Sequence, residues 1–374
     1  MGISKEMLVA ALTHHQVMPD FLDFIFPFGK QEYHQDFYFS GLRHQTMLQS
    51  PPGGLVVPKL GRSGREIRMC YNLKSVETSP NTKVWPWSIR QTAVYHSFDV
   101  ETGKSFWVMV KGSKEIRNRI QEAAATGSVS PTNLKLFGST GQAFASTFAT
   151  HLALCDWCNE EWRWYLNYLE KRVQDVTRRA LTINIDKEPS LFEEPIHPEF
   201  NSSLSLSILQ SCTESTKSTI STASRRTKSG TGLEKQKIQA PFAFSQPHSP
   251  PPTLPRGIPG AMPNDDQTAA DQAFTFKDLQ LVQQFQDKLK EVTFVLEANI
   301  DILTGLKEHY QLIFKSDDFP EGLKSSSQAA FAQFEKQING TITDLQWQKS
   351  RTTILQTLLA DRKGLVSLHS RVSV

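Results

Sequence analysis

Cysteine is scarce: four residues, Cys70, Cys155, Cys158 and Cys212, in a chain of 374. That usage excludes a small secreted disulfide scaffold and is ordinary for an intracellular protein. Long apolar runs are missing too. No stretch of about 18 consecutive apolar residues occurs, so the sequence offers no helix to span a bilayer. The first residues, from Met1 to Val17, lack an apolar core behind a basic start, which argues against a secretory leader. Gly2 invites a myristoylation reading, but position six holds Glu6 where a hydroxyl residue is expected. These absences predict a soluble, cytoplasmic chain.

Apolar residues are also in slightly short supply. The hydrophobic set is 39%; even with glycine added and tyrosine removed it falls a little under the share of a globular chain. The net charge of +3 is unevenly spread. Seven Lys/Arg and two Asp/Glu lie between Asn201 and Met262, so the remainder sums to −2. A nucleic-acid-binding domain would place its positive charge on a folded face, and this chain does not.

Residues 20–50 are rich in phenylalanine without a clean period and read as irregular, partly helical packing. From Arg65 the pattern becomes regular. Ile67, Met69, Tyr71 and Leu73 alternate with Arg68, Cys70, Asn72 and Lys74, the pattern of a half-buried strand. Two further β-rich runs flank Asp-Val-Glu-Thr-Gly-Lys and predict a hairpin, with Gly103 free to take positive φ in its turn. A short helix is expected at 113–126. Over 141–180, Phe148, Leu152, Cys155, Asn159, Trp162, Leu166, Leu169, Val173 and Val176 form one stripe at three- and four-residue steps. Unbroken, that helix would be about 60 Å long.

Residues 186–263 are of a different kind. Ser/Thr runs pass into a Pro-rich tract, and so little apolar surface cannot offset the entropy of ordering, so a disordered linker is expected. Helical periodicity then resumes through Val282, Phe285, Leu289, Val292, Leu296, Asn299, Leu303, Leu306, Tyr310 and Ile313. The spacing is that of a coiled coil, with Asn299 the polar residue of the seam. Ser-Asp-Asp-Phe-Pro-Glu-Gly (316–322) breaks it, and a second helix is expected from about Leu323 to Val366. The predicted fold is therefore an α/β domain (1–185) with an antiparallel or mixed sheet and a long helix. The linker (186–263) and an antiparallel, coiled-coil-like helical hairpin (264–374) follow.

Candidate chemistry is thin. Thr102-Gly103-Lys104-Ser105 resembles the end of a phosphate-binding loop, but Phe98 stands where a glycine is needed and a strand, not a helix, follows. His151, Cys155 and Cys158 fall on one helix face and could ligate a metal, yet a closed zinc site needs a fourth ligand and Cys155 lies on the apolar stripe. Trp157, Trp162 and Trp164 could form an aromatic platform, although large rings along a helix are more often core. Pro252-Thr-Leu-Pro255 with Arg256 is a minimal polyproline ligand, and Arg225-Arg226 among serines could be a phosphorylation-controlled docking segment. No Ser/His/Asp or paired-carboxylate arrangement stands out, and no enzyme is expected.

Residues 60–77 (LGRSGREIRMCYNLKSVE) and 86–113 (PWSIRQTAVYHSFDVETGKSFWVMVKGS) resemble signature segments of fungal CorA-like transporter-domain proteins. Residues 274–289 and 334–366 resemble the helical region of the same family. The resemblance implies an α/β cytosolic domain leading into a helical stalk, ring-like assembly, and an ancestry in magnesium transport. The family's stalk runs on into two membrane helices with Gly-Met-Asn at the pore mouth; neither is found here, so transport by this chain alone is not expected. Regulatory metal sites of the family use carboxylates. None maps residue by residue, and Asp317 and Asp318 in the inter-helix turn are the most that can be suggested. The expectation is a non-enzymatic module without a cofactor of its own, Mg2+ being implied by resemblance alone. It would assemble with itself or with a full-length membrane relative and bind no nucleic acid. The alternative is a scaffold recruiting partners through the Pro/Ser-rich linker.

Overall fold

The computed structural model describes residues 4–29, 35–79, 85–112, 116–120, 138–181 and 276–372. The expected linker, with its Pro-rich and Arg225-Arg226 motifs, lies outside them, as do Cys212 and most of the helix expected at 113–126, of which 116–120 is helical. Residues 1–183 and 272–374 form one compact unit.

Four strands run β1 (Leu42–Met47), β2 (Glu66–Thr78), β3 (Trp87–Asp99) and β4 (Ser105–Val110), in spatial order β1-β2-β3-β4. Every pairing is antiparallel, so the sheet is antiparallel and not mixed. β2 and β3 pair over their full length, from Glu66 opposite Asp99 to Thr78 opposite Trp87. The predicted hairpin joins β3 to β4. Asp99 Oδ1 accepts from the amides of Glu101 and Thr102, and Gly103 sits at φ 71°. β1 was not expected. Its sequence, Leu-Arg-His-Gln-Thr-Met, is polar and largely exposed because it is an edge strand, so no alternation marks it.

β2 is buried on both faces, not on one. Ile67, Met69, Tyr71 and Leu73 meet the helices, whereas Cys70 packs with Phe21, Phe24, Ala93 and Tyr95. Phe21 and Phe24 come from α2 (Phe21–Ile25), which follows α1 (Lys5–His14). The phenylalanine-rich N-terminal segment is thus the cover of the second sheet face, which is why the alternating polar residues are enclosed. Asn72 and Lys74 find a partner in the covering segment: Asn72 Nδ2 and Lys74 Nζ both donate to the Phe39 carbonyl, at 2.9 and 2.8 Å.

The long helix expected at 141–180 is two helices, α3 (Thr140–Asn159) and α4 (Trp162–Leu181). Glu160 is extended and Glu161 takes φ 63°, which a helix cannot absorb. Trp162 Nε1 donates to the Cys158 carbonyl at 2.7 Å, satisfying one of the acceptors left open at the end of α3. The apolar stripe survives the break, with Leu152, Cys155, Trp162, Leu166, Leu169 and Val173 all buried.

Two long helices complete the unit, α5 (Phe276–Lys315) and α6 (Glu321–Val372). The break between them falls where Pro320 predicted it, and buried Phe319 in that turn packs on Phe144 and Phe314. Lys363 bonds Gln283, Gln356 bonds Thr293, Lys349 bonds Glu297, Gln311 bonds Glu335 and Lys307 bonds Asn339. Residue numbers fall along one helix as they rise along the other. All ten residues of the predicted α5 stripe are buried, and so are Val295, Ile302 and His309 beside it. α5 is covered on more than one side because it packs on β1 and β2 as well as on α6.

Candidate functional site

The three candidate ligands of α3 separate into a hydrogen-bond relay and a packed pair of thiols. His151 is fully enclosed between β2 and α5, with Nδ1 2.7 Å from the Tyr71 hydroxyl and Nε2 3.0 Å from the Tyr310 hydroxyl. Burial lowers its pKa to about 3 and raises those of both tyrosines, so the ring is neutral and both phenols are protonated at pH 7. One nitrogen then donates and the other accepts. Tyr310 also bonds Thr147, whose hydroxyl donates to the Phe144 carbonyl at 2.7 Å. Both ring nitrogens are therefore taken.

Cys155 and Cys158 are free and buried. The Cys158 thiol donates to the Cys155 carbonyl at 3.1 Å, and desolvation pushes both pKa values up, away from the thiolate a metal or redox centre uses. The aromatic trio is likewise divided. Trp157 and Trp162 are core, and only Trp164 is exposed, with the Arg163 guanidinium 5.4 Å from its ring. Lys104 of the loop-like motif donates to the Leu60 carbonyl at 3.2 Å and ties the hairpin turn to the segment before β2.

Asp317 and Asp318 stand exposed in the α5–α6 turn. What the turn contributes is a backbone group: the Asp318 carbonyl accepts from Arg65 Nη2 at 2.9 Å, while Arg65 Nε donates to Leu48. Arg65 thereby ties the turn to the sheet. Among the described residues no group of three or more His, Cys, Asp or Glu is gathered closely enough to hold a metal ion.

Sequence reading missed a cleft of about 630 Å3 between β1 and α5. Tyr38 and Phe294, edge to face at 5.0 Å, form part of its wall, and Leu312 another part. Glu297, Asp301 and Glu308 of α5 also line it, and no lysine or arginine does. Its other polar feature is a pair of histidines, His44 of β1 and His309 of α5, with ring centroids 4.0 Å apart. His309 is only 4% exposed and its Nε2 has no hydrogen-bond partner. Desolvation, then the neighbouring His44, bring its pKa to about 3. No spacing in the sequence could have paired two histidines so far apart. A single signal was present: His309 sits beside Tyr310 of the apolar stripe, a position where a fully solvated side chain is not expected.

Residues 1–181 match the family model of CorA-like transporters. The match ends with α4, so for α5 and α6 the resemblance rests on the sequence segments quoted above. Neither the curated proteins nor the solved structures give a match to this chain. None of the described helices is long and apolar enough to cross a membrane.

Proposed function

We propose that the chain is a CorA-like module related to cation transporters of the magnesium type, non-enzymatic, and working by assembly through its long helices. In this reading α5 and α6 are an antiparallel hairpin of coiled-coil character, and the partner is a second copy or a membrane-embedded relative that supplies the ion path. The observation that carries it is on α6. Trp347 is 71% exposed and Ile354 59% exposed, seven residues apart and so on one helix face. Large apolar groups held in water in register along a helix suit a helix partner. The match of residues 1–181 to CorA-like transporters supports the same reading.

Light scattering on the purified chain tests it. An oligomer at about 50 μM, a concentration at which even weak specific complexes form, is the expected result, and Trp347→Asp with Ile354→Asp should return it to monomer. A strict monomer of the wild-type chain at that concentration, without added partner, would sink self-assembly.

A further inference from the structure

β4 is the edge of the sheet opposite β1, and its outer side is open to a partner strand. The phase of its ladder follows from the hairpin. The Asp99 amide donates to the Lys104 carbonyl at 2.9 Å, and on the other side of β3 the Val100 amide donates to the Arg65 carbonyl at 3.0 Å. Residues that bond a given neighbour alternate along an antiparallel strand. Ser97, Tyr95 and Ala93 therefore bond β4 at their register partners Phe106, Val108 and Val110. Ser105, Trp107 and Met109 turn their N–H and C=O groups outward, and among the described residues no hydrogen bond reaches them there.

Packing covers both faces of this strand but not its edge. Trp107 and Met109 pack on the helix side, the Trp107 ring stacked on His96 at 3.9 Å, and Phe106, Val108 and Val110 pack on the smaller core around α2. All six residues stay partly exposed, and with both faces packed that exposure lies along the edge. Such an edge is usually blunted by charge, proline or a bulge. β1 carries Arg43 and His44, whereas β4 reads Ser-Phe-Trp-Val-Met-Val, aromatic and β-branched with no charge, glycine or proline. A lysine stands just outside each end, Lys104 and Lys111. Lys104 donates once, to Leu60, and Lys111 Nζ lies 5.7 Å from the Phe28 ring, so both ammonium groups keep N–H donors to spare. A second copy fits this edge poorly. Two β4 strands paired antiparallel about Trp107 would bring each copy's Lys104 within one residue of the other's Lys111, like charges at both ends. Carboxylates at those two places complement it instead.

We propose that the β4 edge takes up an extended segment of a partner protein as a fifth strand, uncharged and β-branched over about six residues, with a carboxylate at each end to meet Lys104 and Lys111. Amide hydrogen exchange of the full chain, resolved to single residues, tests it with the synthetic peptide acetyl-Asp-Thr-Val-Thr-Val-Thr-Val-Asp-amide. In the chain alone the amides of Phe106, Val108 and Val110 should exchange slowly and those of Ser105, Trp107 and Met109 fast. Peptide at about 1 mM, the weak end of specific affinity, should slow the second set by about tenfold or more. The same peptide N-methylated at two adjacent central amides, which spoils both of its edges, should give no protection, and lysine in place of both aspartates should weaken binding several-fold. Met109→Pro removes an outward N–H and leaves the β3–β4 ladder its donors, so it should also abolish the protection. Melting temperatures read in parallel separate loss of binding from loss of fold. Absence of protection by the first peptide, or equal protection by the N-methylated or the lysine-flanked one, overturns the proposal. So does slow exchange of all six amides without peptide: at every protein concentration it means that the chain covers its own edge, and if it grows with concentration a second copy does. Trp347→Asp with Ile354→Asp should leave the peptide effect unchanged, so this proposal and helix assembly fail separately.

Discussion

Buried polar side chains govern the behaviour of this molecule at the residue scale. The relay Tyr71–His151–Tyr310 ties β2, α3 and α5 together with every ring nitrogen of His151 engaged. Removing one hydroxyl, in Tyr71→Phe, leaves Nδ1 buried and bare and should cost about 1–3 kcal/mol in urea unfolding. Acid should undo the same region. The pKa of His151 and of His309 is about 3 in the folded chain and ordinarily 6.5. Between those values the unfolded chain takes up protons that the folded one refuses. The stability concerned is complete above pH 6.5 and is lost as the pH falls toward 3, at roughly 3 kcal/mol per histidine by pH 4. A flat unfolding free energy from pH 7 to 4 would contradict this.

Lys74 works in the other direction on the pH axis. It is enclosed, its Nζ 6.0 Å from the rings of both Phe37 and Phe294, and burial lowers its pKa from 10.5 to about 8. The unfolded chain binds the extra proton between pH 8 and 10.5, so stability rises over that window. The wild-type chain should gain on Lys74→Met by as much as about 3 kcal/mol between pH 7 and pH 10.

At the scale of elements, Asn299 and Gly141 show how the helices are held. Asn299 occupies the expected polar place on the α5 stripe, but its partner is a strand. Its Oδ1 accepts from the Lys74 amide at 3.1 Å and its Nδ2 donates to the Lys74 carbonyl at 2.7 Å. β1 pairs β2 only as far as Tyr71, so beyond that point the edge of β2 has open backbone groups, and the amide of Asn299 closes one pair. A coiled-coil seam would gain stability from Asn299→Leu. Here the substitution strands two buried backbone groups and should destabilise by roughly 2–5 kcal/mol, measured by chemical denaturation. At Gly141 of α3, an added Cβ would lie 2.0 Å from Ser326 Oγ on α6. Gly141→Ala should lower the melting temperature, with an overpacking cost of about 1–3 kcal/mol, and Ser326→Ala should recover part of the loss, since the Ser326 Cβ would still sit at 2.7 Å.

For the whole molecule, the stretch matched by the family model is not closed by itself. Phe144 and Phe148 of α3 pack on Tyr310, Phe314 and Phe334, and Arg351 of α6 pairs with Glu170 of α4. Residues 1–181 produced alone should bind a hydrophobic dye and lack a sharp thermal transition. Mixing with a 276–372 fragment should abolish the dye binding and bring back a sharp transition; a cooperative transition in the first fragment alone would show that its core is self-sufficient.

Much of this architecture was legible in the chain, and for a local reason. Periodicity is a property of neighbours, so β2, the β3–β4 hairpin with Gly103, the α5 stripe and the stop at Pro320 could all be read from spacing. The break at Glu160–Glu161 could not, because no glycine or proline marks it and the Cys158 carbonyl left open before it is satisfied by the indole of Trp162. The edge strand β1 was hidden for lack of a buried face. The second covering of β2 was hidden because the partner of Asn72 and Lys74, the Phe39 carbonyl, is remote in sequence.

The candidate site divides along the same line. Residue type and helical spacing determined that His151, Cys155 and Cys158 share a face and that Asn299 is an exception in an apolar seam. What those side chains do was decided only by the tertiary structure. Two tyrosines close on His151, and a strand edge meets Asn299. His44 and His309 are brought within 4.0 Å beside three carboxylates. Burial and hydrogen-bond partners are set by which distant segments meet, and no local pattern carries that information.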